Sequence, residues 1–254
     1  MIELIKNNNR TATLFLNNPP LNLVTLEMTQ HFKTVLEEVE NDEDIKVLII
    51  TARGKDFFCV GSDIKEFGHV RDRVVELKLD DENKTFLMIE QMSKPVIIAM
   101  NGMAIGGGCE LALAGDLRIL EKNSAIGLPE INLGVFPGSG GLYRLPKIIG
   151  ISKAMKMMFT GERLTADEAY RIGLVDYLTE EGNALIFAEE LADEIAKMPK
   201  DALRIIKHGV RKSLEMSLEQ AIKYNLEESD FIFKTENCKE GVEAFFEKRQ
   251  PQFE

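Results

Sequence analysis

The sequence predicts an α/β fold, and three observations carry that prediction. Two buried-strand runs, "KVLIITA" at 46–52 and "KPVIIAMNG" at 94–102, each lead through a glycine-bearing loop into a helical pattern. Further strand-length runs sit close by, giving a β–β–α rhythm that suits neither an all-α bundle nor a β-sandwich. From about Ile151 onward the strand signal fades and helical periodicity takes over.

Each element has its own cause. "TATLFLN" (11–17) alternates as a strand does, and the "PP" at 19–20 ends it. "TLEMTQHFKTVLEEVEND" reads as an amphipathic helix whose apolar stripe is Leu26, Phe32, Val35, Leu36 and Val39. The charged segment 69–91 is only loosely periodic and reads as a helix with a mobile first part. "DLRIL" (116–120) and "SAIGLP" (124–129) add two strands. "TADEAYRIG" carries a capping box, Thr165 with Glu168, and stops at Gly173. Helical patterns follow at 183–197, 201–213, 217–234 and 238–248, the third opened by a second capping box at Ser217. These last helices carry many apolar residues for their length, so they are expected to pack against the core or a second subunit.

"VLIITARGKDFFCVGSDIKEF" and "VIIAMNGMAIGGGCELALA" both run strand, loop, glycine, helix. If their strands are parallel neighbours, both loops emerge at one sheet edge, where open α/β proteins place ligands.

Composition narrows the function. Forty-two acids against 31 bases leave a formal net charge of −11, which argues against non-specific nucleic-acid or anionic-membrane binding. An anionic ligand must therefore be met by local donors. The apolar runs are too short to span a bilayer, and "MIELIKNNNR" lacks a signal-peptide core. With three cysteines and no export signal, a cytoplasmic, reduced protein is expected.

The stretch "NGMAIGGGCELALAGD" (101–116) poses the chemical question: three glycines open an apolar helical pattern with Glu110 at its start. Gly102 to Gly107 has P-loop spacing, but Gly108 and Cys109 stand where Lys and Ser/Thr are required. Pro137 spoils a nucleophile elbow around Ser139. His31, His69 and His208 are scattered without zinc-site spacing, so no metal is expected. Two readings remain for the glycines. They permit close helix–strand packing, or they free backbone N–H groups, Gly107 with Val60 or Gly61 of the other loop, to form an oxyanion hole.

Glu110 and Glu130 each interrupt an otherwise apolar stretch, and an isolated buried carboxylate is costly unless paired, hydrogen-bonded or protonated. Either they are helix-end caps, or they form an acid–base pair whose coupling drives their titrations apart. They would meet if the strand leading to Glu130 returns antiparallel. Cys59 and Cys109 flank the proposed donors, but buried cysteine commonly serves as a small apolar filler.

The segments "FFCVGSDIKEF", "KPVIIAMNGMAIGGGCELALAGDLRI", "GLPEINLGVFPGSGGLYRLPKIIG", "TGERLTADEAYRIGLVD" and "EGVEAFFEKRQPQF" together resemble the crotonase family of enoyl-CoA hydratases and isomerases, over nearly the whole chain from "NPPLNLV" onward. The resemblance implies a ββα spiral core, taken as 1–195, with the acyl-CoA site, followed by a C-terminal helical trimerisation region, 196–254. It implies a homotrimer or hexamer and an acyl-CoA thioester whose coenzyme A is part of the substrate, with no separate cofactor. The thioester oxygen would sit between the N–H groups of Val60 and Gly107. Glu110 and Glu130 would hold the water added across the 2,3 double bond, with Gly138 beside it. Coenzyme A contacts fall on Gly61, Ser62 and Asp63, more weakly on Leu23, and on Phe245 and Lys248 reaching from a neighbouring subunit.

Two positions depart from the family pattern. Val60 stands where alanine or serine is usual. Leu128 stands where several hydratases carry a glutamine beside the first glutamate, so Glu110 is expected to lose a hydrogen-bond partner and titrate higher. Hydration of 2-enoyl-CoA is the leading expectation. Δ3,Δ2-enoyl-CoA isomerisation, which needs one base, and non-catalytic acyl-CoA binding are the alternatives.

Overall fold

The computed structural model describes residues 1–254. The chain opens with β1 (Ile2–Lys6), β2 (Thr11–Leu16) and α1 (Leu26–Asn41), then β3 (Val47–Ala52), β4 (Phe57–Cys59), α2 (Ile64–Val70) and α3 (Asp80–Gln91). Next come β5 (Val96–Met100), β6 (Met103–Ile105), α4 (Gly107–Ala114), β7 (Leu117–Glu121) and β8 (Ala125–Gly127). A 3₁₀ turn at Glu130–Leu133 leads into α5 (Gly141–Ile149), α6 (Ile151–Thr160), β9 (Arg163–Thr165), α7 (Ala166–Arg171) and β10 (Tyr177–Thr179). Four helices complete it: α8 (Ala184–Ala196), α9 (Lys200–Ser213), α10 (Leu218–Ile232) and α11 (Glu236–Glu247).

From β3 to β8 successive strands alternate between two sheets. One is ordered β1-β2-β3-β5-β7-β10, the other β4-β6-β8-β9. Each ββα unit in that stretch thus gives one strand to each sheet before its helix returns, which winds the chain into a spiral. The neighbours β3, β5 and β7 are parallel, with Ile49 opposite Ile97 and Ile97 opposite Leu117. This is the arrangement the two similar segments imply, and their loops do emerge together.

Alternation along β3 divides the interior. Leu48 and Ile50 face a core that also holds Phe32, Leu36, Phe86, Ile98 and Leu111. Val47 and Ile49 face α8, whose Ala184, Ala188, Ala192 and Ala196 form a stripe that lets its backbone approach the sheet. Each fully buried aliphatic side chain contributes about 1.5–3 kcal/mol.

The segment expected as one helix over 69–91 is instead α2, a 3₁₀ turn at Arg71–Arg73, a π-helical turn at Val75–Leu79 and α3. The expectation of an antiparallel strand leading to Glu130 is also corrected: β8 runs parallel to β6. Both Thr165 and Ser217 form complete capping boxes. Lys207 roots α9 in the core, donating to Ile89 O and Lys94 O at 2.9 Å and pairing with Asp116 at 2.8 Å. No helix is long and apolar enough to cross a membrane.

Candidate active site

The three glycines divide the two readings between them. A Cβ on Gly108 would overlap the Cys59 carbonyl oxygen, so this glycine lets α4 press against β4. Gly106 sits at φ +59° and donates its N–H to Gly127 O at 2.8 Å. Gly107 is the first residue of α4, a position whose N–H has no acceptor within the helix.

The second loop touches this point. Gly61, at φ +88°, lies so close that a Cβ on it would stand 2.9 Å from Gly107 N. Here the structure corrects the donor expected at Val60. Its N–H is directed to Leu21 O at 3.2 Å. Ser62 N, by contrast, lies 3.6 Å from where a Cβ of Gly107 would stand. Its neighbours are held by a bridge to Val24, through Val24 N–H to Gly61 O at 2.9 Å and Asp63 N–H to Val24 O at 3.4 Å. That bridge leaves the Ser62 N–H out of the ladder.

Glu110 lies one turn into α4 and is 3% exposed. Its Oε1 accepts the N–H groups of Ser139 and Gly141, each at 2.8 Å. These two amides give the carboxylate two hydrogen-bond partners. Burial still pushes Glu110 up to about 8, against the Gly141 N–H, and the nearby charges of Glu130 and Glu82 push the same way.

Glu130 opens the 3₁₀ turn, with Oε1 lying 3.2 Å from where a Cβ of Gly106 would stand. Its Oε2 is buried and has no hydrogen-bond partner. Burial pushes Glu130 up to about 7. The structure therefore brings Glu110, Glu130, Gly107, Gly61 and Ser62 into one locality.

The remaining candidates are placed as follows. Gly138 adjoins the turn that holds Glu110 and packs on Leu79. Asp63 caps α2, accepting Lys65 N–H at 2.9 Å, and Leu23 adjoins the Val24 bridge to Ser62. Phe245, 79% exposed, is on α11 and Lys248 caps its C-terminus, and neither is among the residues around Glu110 and Glu130. Phe245 instead lines a cavity of about 410 Å³ with Ile232, Val242 and Phe253. Cys59 and Cys109 are fully buried, and burial pushes the Cys59 thiol up to about 12, which suits fillers rather than nucleophiles.

Sequence reasoning missed a third buried acid. Glu82 Oε1 accepts the Ser139 hydroxyl at 2.7 Å and lies 3.4 Å from where a Cβ of Gly107 would stand. The signal was present: Glu82, Thr85, Phe86 and Ile89 are the buried residues of α3, at i, i+3, i+4 and i+7 spacing. An acid on that stripe faces the interior.

Comparison with known proteins places the chain in a family. The family profile described as enoyl-CoA hydratase/isomerase matches residues 6–254. A short-chain-enoyl-CoA hydratase of Clostridium acetobutylicum is 34% identical over 97% of this chain and 95% of its own. A crotonyl-CoA hydratase of Syntrophomonas wolfei is 33% identical over 98% of this chain and 96% of its own. The crystal structure of an enoyl-CoA hydratase from Bacillus anthracis superposes with a TM-score of 0.96 at 31% identity, covering 99% of this chain and 98% of that one. A match of that extent leaves no part of the fold unaccounted for, and the chain belongs to the enoyl-CoA hydratase/isomerase family, the crotonases.

Proposed function

We propose that the protein hydrates 2-enoyl-CoA thioesters to 3-hydroxyacyl-CoA. The observation that carries this reading is the convergence of two carboxyls, that of buried Glu110 and that of half-buried Glu130 with its Oε2 buried, on the point where the Gly61–Ser62 loop meets the N-terminus of α4. In this scheme the Ser62 and Gly107 N–H groups receive the thioester oxygen, and Ser62 takes the place expected of Val60. Negative charge develops on that oxygen as the double bond is attacked, and each such donor contributes roughly 3–4 kcal/mol to the transition state.

Hydration needs one base and one acid at once. Ionised Glu110 takes a proton from water as the water oxygen bonds to C3. The π electrons move toward C2 and the thioester oxygen, and protonated Glu130 delivers a proton to C2. Of the two singly protonated forms the reactive one has Glu110 ionised, and the Ser139 and Gly141 amides and the unpartnered Glu130 Oε2 favour it. Burial, which pushes Glu110 up to about 8 and Glu130 up to about 7, favours the other and makes the reactive form the minor one. Gly61, Ser62, Asp63 and Leu23, at or beside the Val24–Ser62 bridge, are assigned to the coenzyme A arm of the substrate.

The same proposal includes self-assembly, as a trimer or hexamer, with Phe245 and Lys248 serving a neighbouring subunit's ligand. Phe233, Phe245 and Phe246 are each more than three-quarters exposed in the single chain. Burying them between copies removes a costly apolar surface.

The experiment is to incubate the protein with crotonyl-CoA in D₂O and identify the product by NMR. Hydration places a hydroxyl on C3 and one deuteron on C2. Deuterium exchange or double-bond migration without a C3 hydroxyl would instead indicate isomerase chemistry with Glu130 as sole base.

A further inference from the structure

Glu82 and Lys78 have no part in the scheme above, yet their side chains are 1% and 0% exposed. Burying a charged pair is costly, so its contacts call for an explanation. Glu82 Oε1 accepts the Ser139 hydroxyl at 2.7 Å, while Oε2 has no hydrogen-bond partner and faces Lys78 Nζ at 3.7 Å. Lys78 Nζ donates to Val24 O and to Glu66 Oε2, both at 3.0 Å.

Each end of this chain of contacts reaches one half of the site. Ser139, whose hydroxyl is held by Glu82, points its N–H at Glu110 Oε1 across 2.8 Å. Asn83, the next residue, donates to Gly138 O at 2.8 Å and braces the same turn. At the other end, Val24 O is the atom that accepts Asp63 N–H, and Val24 N–H holds Gly61 O, so Lys78 grips the bridge on either side of Ser62.

We infer that Glu82 is a positioning residue for the reaction: through Ser139 it fixes Glu110, and through Lys78 it ties that carboxyl to the loop bearing Ser62. The inference rests on the hydratase reading of Glu110 and Ser62. An apolar residue at 82 would fill the same space but would leave the Ser139 hydroxyl without a fixed acceptor and Lys78 paired with Glu66 alone, its tie to Ser139 gone. The charge of Glu82 also disfavours ionisation of Glu110. Burial pushes Glu82 itself upward, against Lys78 and the Ser139 hydroxyl. The other groups facing this cluster are Glu66 from α2, Cys59 from β4, Glu130 from the 3₁₀ turn, and Arg144 from α5, which donates to Ser139 O at 3.1 Å.

The test uses the full chain with ¹³C-labelled glutamate. Carboxyl titration is followed by infrared difference spectroscopy in the wild type, Glu82→Gln and Ser139→Ala, alongside crotonyl-CoA kinetics. The band absent from Glu110→Gln identifies Glu110. Glu82→Gln is expected to titrate Glu110 at lower pH and to lower kcat about tenfold, with KM within about twofold of wild type. A wild-type titration overturns the inference, whether kcat is unchanged or falls in step with thermal stability. If Glu82→Gln does not fold, Ser139→Ala decides, because it keeps both backbone amides: a kcat about tenfold lower at unchanged KM supports the inference, and a wild-type kcat overturns it. If the wild type does not hydrate crotonyl-CoA, the hydratase reading fails, while the infrared titration still decides whether Glu82 governs Glu110.

Discussion

Gly141 donates its backbone N–H to Glu110 Oε1 across 2.8 Å, from the first residue of α5 to the first turn of α4. The carboxyl therefore faces the positive end of a helix as well as two amides, and both favour its ionised form. Burial outweighs them, which is why Glu110 titrates at about 8 rather than near its ordinary value of 4.5. Several measurable consequences come from that balance.

Stability should fall as pH rises. A carboxyl whose folded pKa is raised binds more protons in the folded state, so its contribution is complete below the unfolded value and is lost as pH climbs through the folded one. For Glu110 that window runs from 4.5 to about 8, with a slope of at most about 1.4 kcal/mol per pH unit. Thermal melts at pH 6 and pH 9 should differ less in Glu110→Gln than in the wild type. Equal differences would place the titration elsewhere.

Turnover should follow a narrow bell. The scheme needs one carboxyl ionised and the other protonated, and burial sets the pair near 7 and 8. These titrations belong to the pair rather than to either residue. The expected kcat/KM for crotonyl-CoA is greatest between those values and declines on both sides. A plateau extending below pH 5 would contradict it.

The oxyanion hole is tested by two small substitutions. Gly61→Ala places a Cβ at φ +88° and 2.9 Å from Gly107 N, so both donors must shift. A loss of about 10²–10³ in kcat is expected, together with a backbone penalty of about 1–2 kcal/mol. Val60→Ala leaves the N–H on Leu21 O and should retain kcat within about threefold. The reverse order of effects would restore Val60 as the donor.

Self-assembly has a direct check. Light scattering on the purified chain should give a mass of three or six copies of 28.6 kDa. Charge placed on the exposed phenylalanines, as in Phe233→Asp with Phe246→Asp, should shift the mass toward a single copy. A wild-type protein already monomeric at micromolar concentration would remove Phe245 and Lys248 from any neighbour's site.

The sequence was most legible where a residue type is rare for its setting. Glu110 and Glu130 stood out because acids seldom interrupt apolar runs, and the two similar strand–loop–helix segments raised the condition, parallel neighbouring strands, that β3 and β5 meet. Which N–H of this loop lies free, that of Val60 or of Ser62, was not legible, because backbone N–H groups leave no side-chain signature. Only the Val24 bridge, a contact distant in sequence, shows that Ser62 is left out of the ladder and Val60 is not. Lys78 was hidden by context, and Glu82 was marked only by its place on the apolar stripe of α3. Charges in a loosely periodic segment look solvated until the π-helical turn at 75–79 sets the register that buries them.

The most direct test of the central claim compares initial rates of crotonyl-CoA hydration in the wild type, Glu110→Gln and Glu130→Gln, followed by loss of enoyl thioester absorbance, with folding verified by thermal melts. Each substitution removes one proton-transfer partner and should lower kcat by about 10²–10⁴ while leaving substrate affinity nearly unchanged. A folded variant of either kind that hydrates at the wild-type rate would contradict the two-carboxyl mechanism.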